Sequence, residues 1–174
     1  MSTNVKWGLI TGMVYVIFSL LSNMLGIQQG GNMGLGLLMN AALFGATFFT
    51  IYLAVKEQRD TALGGYINLG QAIRTGMGVA LIAGVISGIF TVLYMKVIDP
   101  GMADKILAAA EAQMDAQNIP EEQREMSRKF SGYFLNPFIV APFTLIWIAF
   151  WGLIKSLIAG QMLKREAPPT FPTA

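Results

Sequence analysis

Glu121, Glu122 and Glu125 are the residues whose type and spacing come nearest to doing chemistry. Two carboxylates within one helical turn can work as a general acid and base, or can hold a divalent cation. The same spacing also suits a plainer role, because acidic side chains in a first turn complement the helix dipole. Nothing else in the sequence joins them. The chain has no histidine and no cysteine, which removes imidazole and thiolate metal sites, haem ligation through either residue, disulfides, and nucleophile and base pairs that depend on them. Gly64, Gly65 and Gly70 are followed by no Gly-Lys-Ser/Thr and make no phosphate loop. The eleven methionines read as flexible filling or lipid-facing groups and not as a metal relay. No catalytic residue, cofactor site or metal site is assigned, and the expectation is a protein that is not an enzyme.

Asn23 and Asn40 stand out for another reason. Both fall inside long apolar runs, where an unpaired amide costs roughly several kcal/mol. A hydrogen bond between them is expected, with a polar site on a transport path as the alternative. No Asp, Glu, Lys, Arg or His is placed mid-span beside them, which argues against a proton-coupled pump.

The elements that must position these residues are membrane helices. Of the 174 residues 54% are hydrophobic and only 13% charged, well below the roughly 25% charged of soluble domains, and the mean hydropathy is +0.54. Twelve basic residues and a net charge of +2 are spread over short loops and form no nucleic-acid face. The segment from Thr75 to Ile98 carries no charge until Lys96, and about 24 residues of helix cross a hydrocarbon layer of about 30 Å. Within it Ala80, Gly84 and Gly88 recur every four residues, with Ala83, Ser87 and Thr91 one position round. Two adjoining ridges are therefore small enough for a neighbouring helix to approach closely. Contact within one bundle is the expectation; a homodimer seam and a ligand cleft are the alternatives.

Around that span the whole chain, 1–174, reads as one all-α membrane domain: a four-helix bundle of two antiparallel hairpins. The spans fall at about 7–27, 33–55, 75–98 and 136–157. The first is too long for a secretory core of about 7 to 15 apolar residues and lacks a small-x-small cleavage site, so it reads as a retained span. The uncharged turn Gln28 to Asn32 returns the second beside it. Asn68 and Gln71 have capping-box form and start the third helix before it enters the membrane, and Pro100 with Gly101 stop it. Residues 101–133 hold most of the acidic side chains and form an amphipathic extramembrane segment of two helices, the second with Pro120 in its first turn and with Met126 and Phe130 on its apolar side. Asn136 and Pro137 start the fourth span, Lys155 marks its exit, and Ser156 to Leu163 continue as helix along or beyond the interface. Lys155, Lys164 and Arg165 are expected to anchor at the lipid surface. Residues 164–174, with Pro168, Pro169 and Pro172, read as a disordered tail.

Four spans put both termini on one side. That face carries seven basic and three acidic residues, against five basic and seven acidic on the other. The balance favours cytoplasmic termini in an inner, cytoplasmic membrane. Trp7, Tyr52 and Trp151 would then lie at the inner headgroups and Tyr94 and Tyr133 at the outer ones.

The stretch Gly65 to Gly76, Gly-Tyr-Ile-Asn-Leu-Gly-Gln-Ala-Ile-Arg-Thr-Gly, together with Ile98-Asp99-Pro100 and Ile119-Pro120-Glu121-Glu122-Gln123, resembles a family of small four-helix membrane proteins of Bacteroidota catalogued only as a domain of unknown function. The likeness spans nearly the whole chain, with Leu69 standing where an aromatic residue is expected. The resemblance implies the topology, with no activity and no functional residues. Relatives are often encoded beside a membrane glycosyltransferase that uses polyprenyl phosphate, which implies such an enzyme as a partner.

The function expected from these features is that of a non-catalytic accessory or scaffold subunit. It would hold another membrane protein, or a second copy of itself, through its small-residue faces and extramembrane helices. A small lipid or lipid-linked-sugar translocator, with a cleft beside Gly84 and Gly88 and with Asn23 and Asn40 guiding a headgroup, is the alternative. A membrane enzyme using Glu121, Glu122 and Glu125 comes third.

Overall fold

A computed structural model describes residues 1–27 and 33–165 of the chain. The turn Gln28 to Asn32 and the tail beyond Arg165, Glu166 and the three prolines included, lie outside the described residues. The described chain is helical almost throughout: α1 Thr3–Met24, α2 Met33–Glu57, α3 Leu69–Leu93, α4 Met102–Ala116, α5 Glu121–Phe134 and α6 Pro137–Leu163. Four stretches are long and apolar enough to cross a membrane: Thr3–Met24, Met33–Ala62, Leu69–Ile98 and Pro137–Leu163. Together they form the integral membrane bundle.

Local chemistry sets the helix ends. The capping box is present at α3, where the Asn68 side chain accepts from the Gln71 N–H at 2.9 Å and the Asn68 N–H donates to Gln71 Oε1 at 3.0 Å. At α6 Asn136 Oδ1 accepts from the Phe138 N–H, with Pro137 in the first turn. Pro142 falls within two turns of that start and leaves the helix unbroken to Leu163. α1 stops before Ile27 because Gly26 takes the left-handed conformation, φ +64°. It also begins earlier than Trp7, since its first turn has partners: Lys6 Nζ lies 2.6 Å from Glu57 Oε2, and the Trp7 indole donates to the same oxygen at 3.0 Å. Pro120 caps α5 from outside, and the helix starts one residue later. Both α2 and α3 run on into a single π turn, Gln58–Ala62 and Tyr94–Ile98.

α3 is the centre of the bundle, packed most extensively on α6 and then on α1. Small residues permit both contacts. A Cβ at Gly84 would stand 3.3 Å from Leu145 Cα, one at Gly88 3.3 Å from the Ala141 carbonyl oxygen, and one at Gly152 would collide with Ala80. On the opposite side a Cβ at Gly8 would lie 2.6 Å from Ile82 Cβ, and Gly12 faces Ile86 in the same way. The ridge Ala80, Gly84 and Gly88 is therefore occupied by α6.

We call proximal the end where Thr3, Glu57, Leu69 and Leu163 meet, and distal the end that carries α4 and α5. Proximally Ile67 and Arg165 close the bundle with a two-way backbone bridge, 2.9 and 3.0 Å. The buried apolar core is proximal as well, made of Ile51, Ala54, Val55, Ile67, Ala72, Val79, Ala159 and Leu163 with Trp7, Phe48, Tyr52 and Leu63 packed around it.

Candidate functional site

Toward the distal end the four spans separate around a cavity of about 400 Å³. α1 contributes Tyr15, Ser19 and Asn23, α2 Asn40 and Leu43, α3 Ser87 and Thr91, and α6 Val140, Thr144 and Ile148. Met102 and Ile106 of α4, with Leu135 at the end of α5, complete the wall on the distal side. The lining is apolar with a few polar groups, the usual make-up of a small-molecule site, and its size lies within the roughly 300–1,000 Å³ typical of one.

Most of the polar groups are satisfied along their own helices. Thr91 and Thr144 donate to the carbonyls of Ser87 and Val140, each at 2.9 Å. Asn23 Nδ2 donates to the Ser19 carbonyl at 2.8 Å and Asn40 Nδ2 to that of Gly36 at 2.9 Å. The hydrogen bond expected between Asn23 and Asn40 is therefore not made. Each amide finds a carbonyl one turn back on its own helix, while both side chains remain in the cavity wall. Among the described residues Asn23 Oδ1 and Ser87 Oγ are buried with no hydrogen-bond partner. An unpaired buried polar atom costs about 1 to 3 kcal/mol. Ser87, grouped by spacing with the packing ridge, is 7% exposed and belongs to the cavity instead.

Directly beneath lies Lys155, whose placement differs most from expectation. It was read as the exit of the fourth span and a surface anchor; the structure buries it inside the bundle, 2% exposed. α6 continues eight residues beyond it to Leu163, about 12 Å at 1.5 Å per residue. A helical side chain leans toward the helix N-terminus, which here is distal, so the amine reaches further inward. Its Nζ donates to Thr47 Oγ1 at 2.5 Å and lies 4.7 Å from the Phe44 ring centre and 6.0 Å from that of Tyr15. Tyr15 is twelve residues into α1, about 18 Å from the proximal end. An ionisable group thus does stand mid-span, contrary to the expectation that none would. Among the described residues no carboxylate pairs with it.

A run of hydroxyls joins this level to the proximal end. Thr47 Oγ1 donates to the Leu43 carbonyl at 2.7 Å while accepting from Lys155, Thr50 Oγ1 donates to the Thr47 carbonyl at 2.9 Å, and Thr11 Oγ1 meets Thr50 Oγ1 at 2.9 Å. Thr11, Thr47, Thr50 and Tyr15 drew no notice as site residues. The available signal was spacing: Thr47, Leu43 and Asn40 lie on one face of α2, and Lys155, Ile148 and Thr144 on one face of α6.

Trp151 is displaced with Lys155. It packs edge-on to Phe44, ring centres 5.7 Å apart, at the depth of the amine and not at the inner headgroups. Removing Lys155 from the surface count leaves six basic residues at the proximal end against five at the distal end.

The acidic residues of α4 and α5 do not converge. Glu111 pairs with Arg128 at 2.6 Å and Asp115 with Arg124, so that ion pairs clasp the two helices together. Glu121 lies 3.8 Å from Arg124, and Glu121, Glu122 and Glu125 are exposed on the first turns of α5. Among the described residues no three metal-ligating side chains come together.

A family model matches the chain from residue 6 to residue 165, from the first turns of α1 to the bridge that closes α6. The chain belongs to the DUF4199 family. The family is described as proteins of unknown function. No curated protein and no solved structure matches the chain.

Proposed function

We propose that the protein is a non-catalytic membrane binding protein that holds one amphipathic small molecule in the distal cavity. The observation that carries this reading is a mainly apolar space of about 400 Å³ whose wall also holds Ser19, Asn23, Asn40, Ser87, Thr91 and Thr144, two of them, Asn23 and Ser87, with a buried polar atom that has no partner among the described residues. A guest with an apolar body and a polar end satisfies both halves of that lining. Movement of such a guest between membrane and cavity makes the protein a small translocator; retention makes it a carrier. Met102 and Ile106 of α4 form part of the wall, and the cavity is partly open as it stands.

The test is native mass spectrometry of protein released gently from its own membrane. One bound amphiphile per chain is expected. The adduct should vanish in Ser87→Phe and in Thr144→Phe, which fill the space from different helices. A wild-type protein free of any adduct, or adducts retained by both variants, overturns the reading.

A second reading, an accessory subunit for another membrane protein, rests on a separate feature. Met126, Phe130 and Tyr133 of α5 are each about two-thirds exposed or more, and such an unpaired apolar face can dock a partner as well as a lipid surface. Because α6 covers Ala80, Gly84 and Gly88, α5 is the surface that remains for that role. A lipid-linked glycosyltransferase is the candidate partner, and crosslinking in native membranes that recovers only copies of this chain would remove it.

We further place the protein in the inner membrane with its proximal end cytoplasmic. The cysteine-free chain permits a direct check. Ala112→Cys should react with an impermeant maleimide added outside intact cells, and Thr61→Cys should not.

A further inference from the structure

We propose that the molecule held in the distal cavity is an anion, an amphipathic carboxylate or phosphate ester whose charged end rests at the cavity floor and is held there by the Lys155 ammonium. This rests on the cavity being a binding site, and it adds the chemical class of what binds. A cation enclosed among hydrocarbon side chains is costly unless an opposite charge compensates it, and intramembrane basic residues accordingly face partners, cavities or ligands. Lys155 is 2% exposed and has one hydrogen bond, to the neutral Thr47 hydroxyl, with two ring faces as its other company. Among the described residues no ion pair is made to it.

The cavity is where an opposite charge can arrive. Lys155 lies on the face of α6 that continues into Ile148 and Thr144, two and three turns on, and its side chain leans toward them. Its partner Thr47 is one turn below Leu43, another lining residue. Tyr15 belongs to both places, as its ring forms part of the cavity wall and also lies 6.0 Å from the ammonium. Lys155 itself is not a lining residue, and Tyr15 is the side chain shared between the cavity and the ammonium; attraction across a side chain is weakly screened where water is scarce. The lining contains no Asp and no Glu, and the Ser87 hydroxyl is unpartnered among the described residues and able to donate, whereas Asn23 Oδ1, an acceptor, needs a donor other than the anion. The apolar walls fit a hydrocarbon body above the charged end.

The experiment uses the full chain in nanodiscs of neutral phosphatidylcholine, with binding of dodecanoate, dodecyl phosphate, dodecanol and dodecyltrimethylammonium read by native mass spectrometry. Both anions should bind one per chain, at least tenfold tighter than dodecanol, and the cation should not bind. Lys155→Met and, as a second variant that keeps a polar end, Lys155→Gln should hold the anions no better than dodecanol, whereas Lys155→Arg should keep the preference. Competition by inorganic phosphate alone would assign the site to a free anion, and failure to compete would assign it to an anion borne on a chain; both outcomes support the charge assignment. Equal binding of dodecanol and the anions by the wild-type protein overturns the anion while leaving the cavity reading intact. If no probe binds, or if all bind equally to Ser87→Phe, both fall.

Discussion

The proximal and distal halves of the bundle are built from the same four helices and differ in what lies between them. Proximally, Ala54, Val55, Ala72, Val79 and Ala159 are fully buried, glycines sit against neighbouring side chains, and Lys6, Trp7 and Glu57 close the end. Distally the helices keep the same length but line a space with serine, threonine and asparagine, and two polar atoms go unpartnered. Small residues can therefore do opposite things. Gly84, Gly88 and Gly152 draw helices together because a backbone or side chain fills the room they leave, whereas Ser19, Ser87 and Thr91 leave room that nothing in the described chain fills. Lys155 marks the boundary.

That contrast makes the two halves respond differently to added bulk, and the largest effect belongs to the packed one. Gly160→Leu forces a side chain into Leu69 and Ala72 and should cost about 3 kcal/mol or prevent folding, read as a fall in the midpoint of thermal or denaturant unfolding in detergent. Lys155→Met should act in the other direction. Removing a charge from mid-span is worth on the order of 2 to 3 kcal/mol, so the variant should be more stable than the wild type in the absence of a guest. A less stable Lys155→Met would make the lysine a structural brace and erase the boundary. Thr144→Leu, which adds bulk to the distal half, should raise stability slightly, by about 1 kcal/mol; a loss matching that of Gly160→Leu would show both halves to be equally packed. The smallest effect is expected outside the membrane, where Arg128→Gln removes a largely exposed ion pair to Glu111 and should change stability by about 0.5 kcal/mol or less.

Much of this architecture is legible in the sequence because it depends on local chemistry. The Asn68 and Gln71 capping box, the start at Asn136 and Pro137, the stop near Pro100 and the four apolar runs are each decided within a few residues. The site is not local. A charge after a long apolar run is ordinarily a span end, and Lys155 departs from this only because α6 continues to Leu163 and turns that face toward Thr47 and Tyr15. Asn23 and Asn40 can be found by type, but whether they meet depends on the separation of α1 and α2, and the cavity between them is a matter of helix rotation that no single stretch encodes. Ser87 illustrates the limit: spacing places it on a small-residue ridge, and only the assembled bundle shows that Gly84 and Gly88 face α6 while Ser87 faces the void.

The most direct test of the hollow distal half is an experimental density map of the protein extracted with its native lipids, at a resolution that shows side chains. The account predicts non-protein density between Tyr15 and Met102, with a polar end toward Lys155. A distal interior closed by its own side chains, with Ser87 and Asn23 paired to each other or to a neighbouring helix, would contradict it.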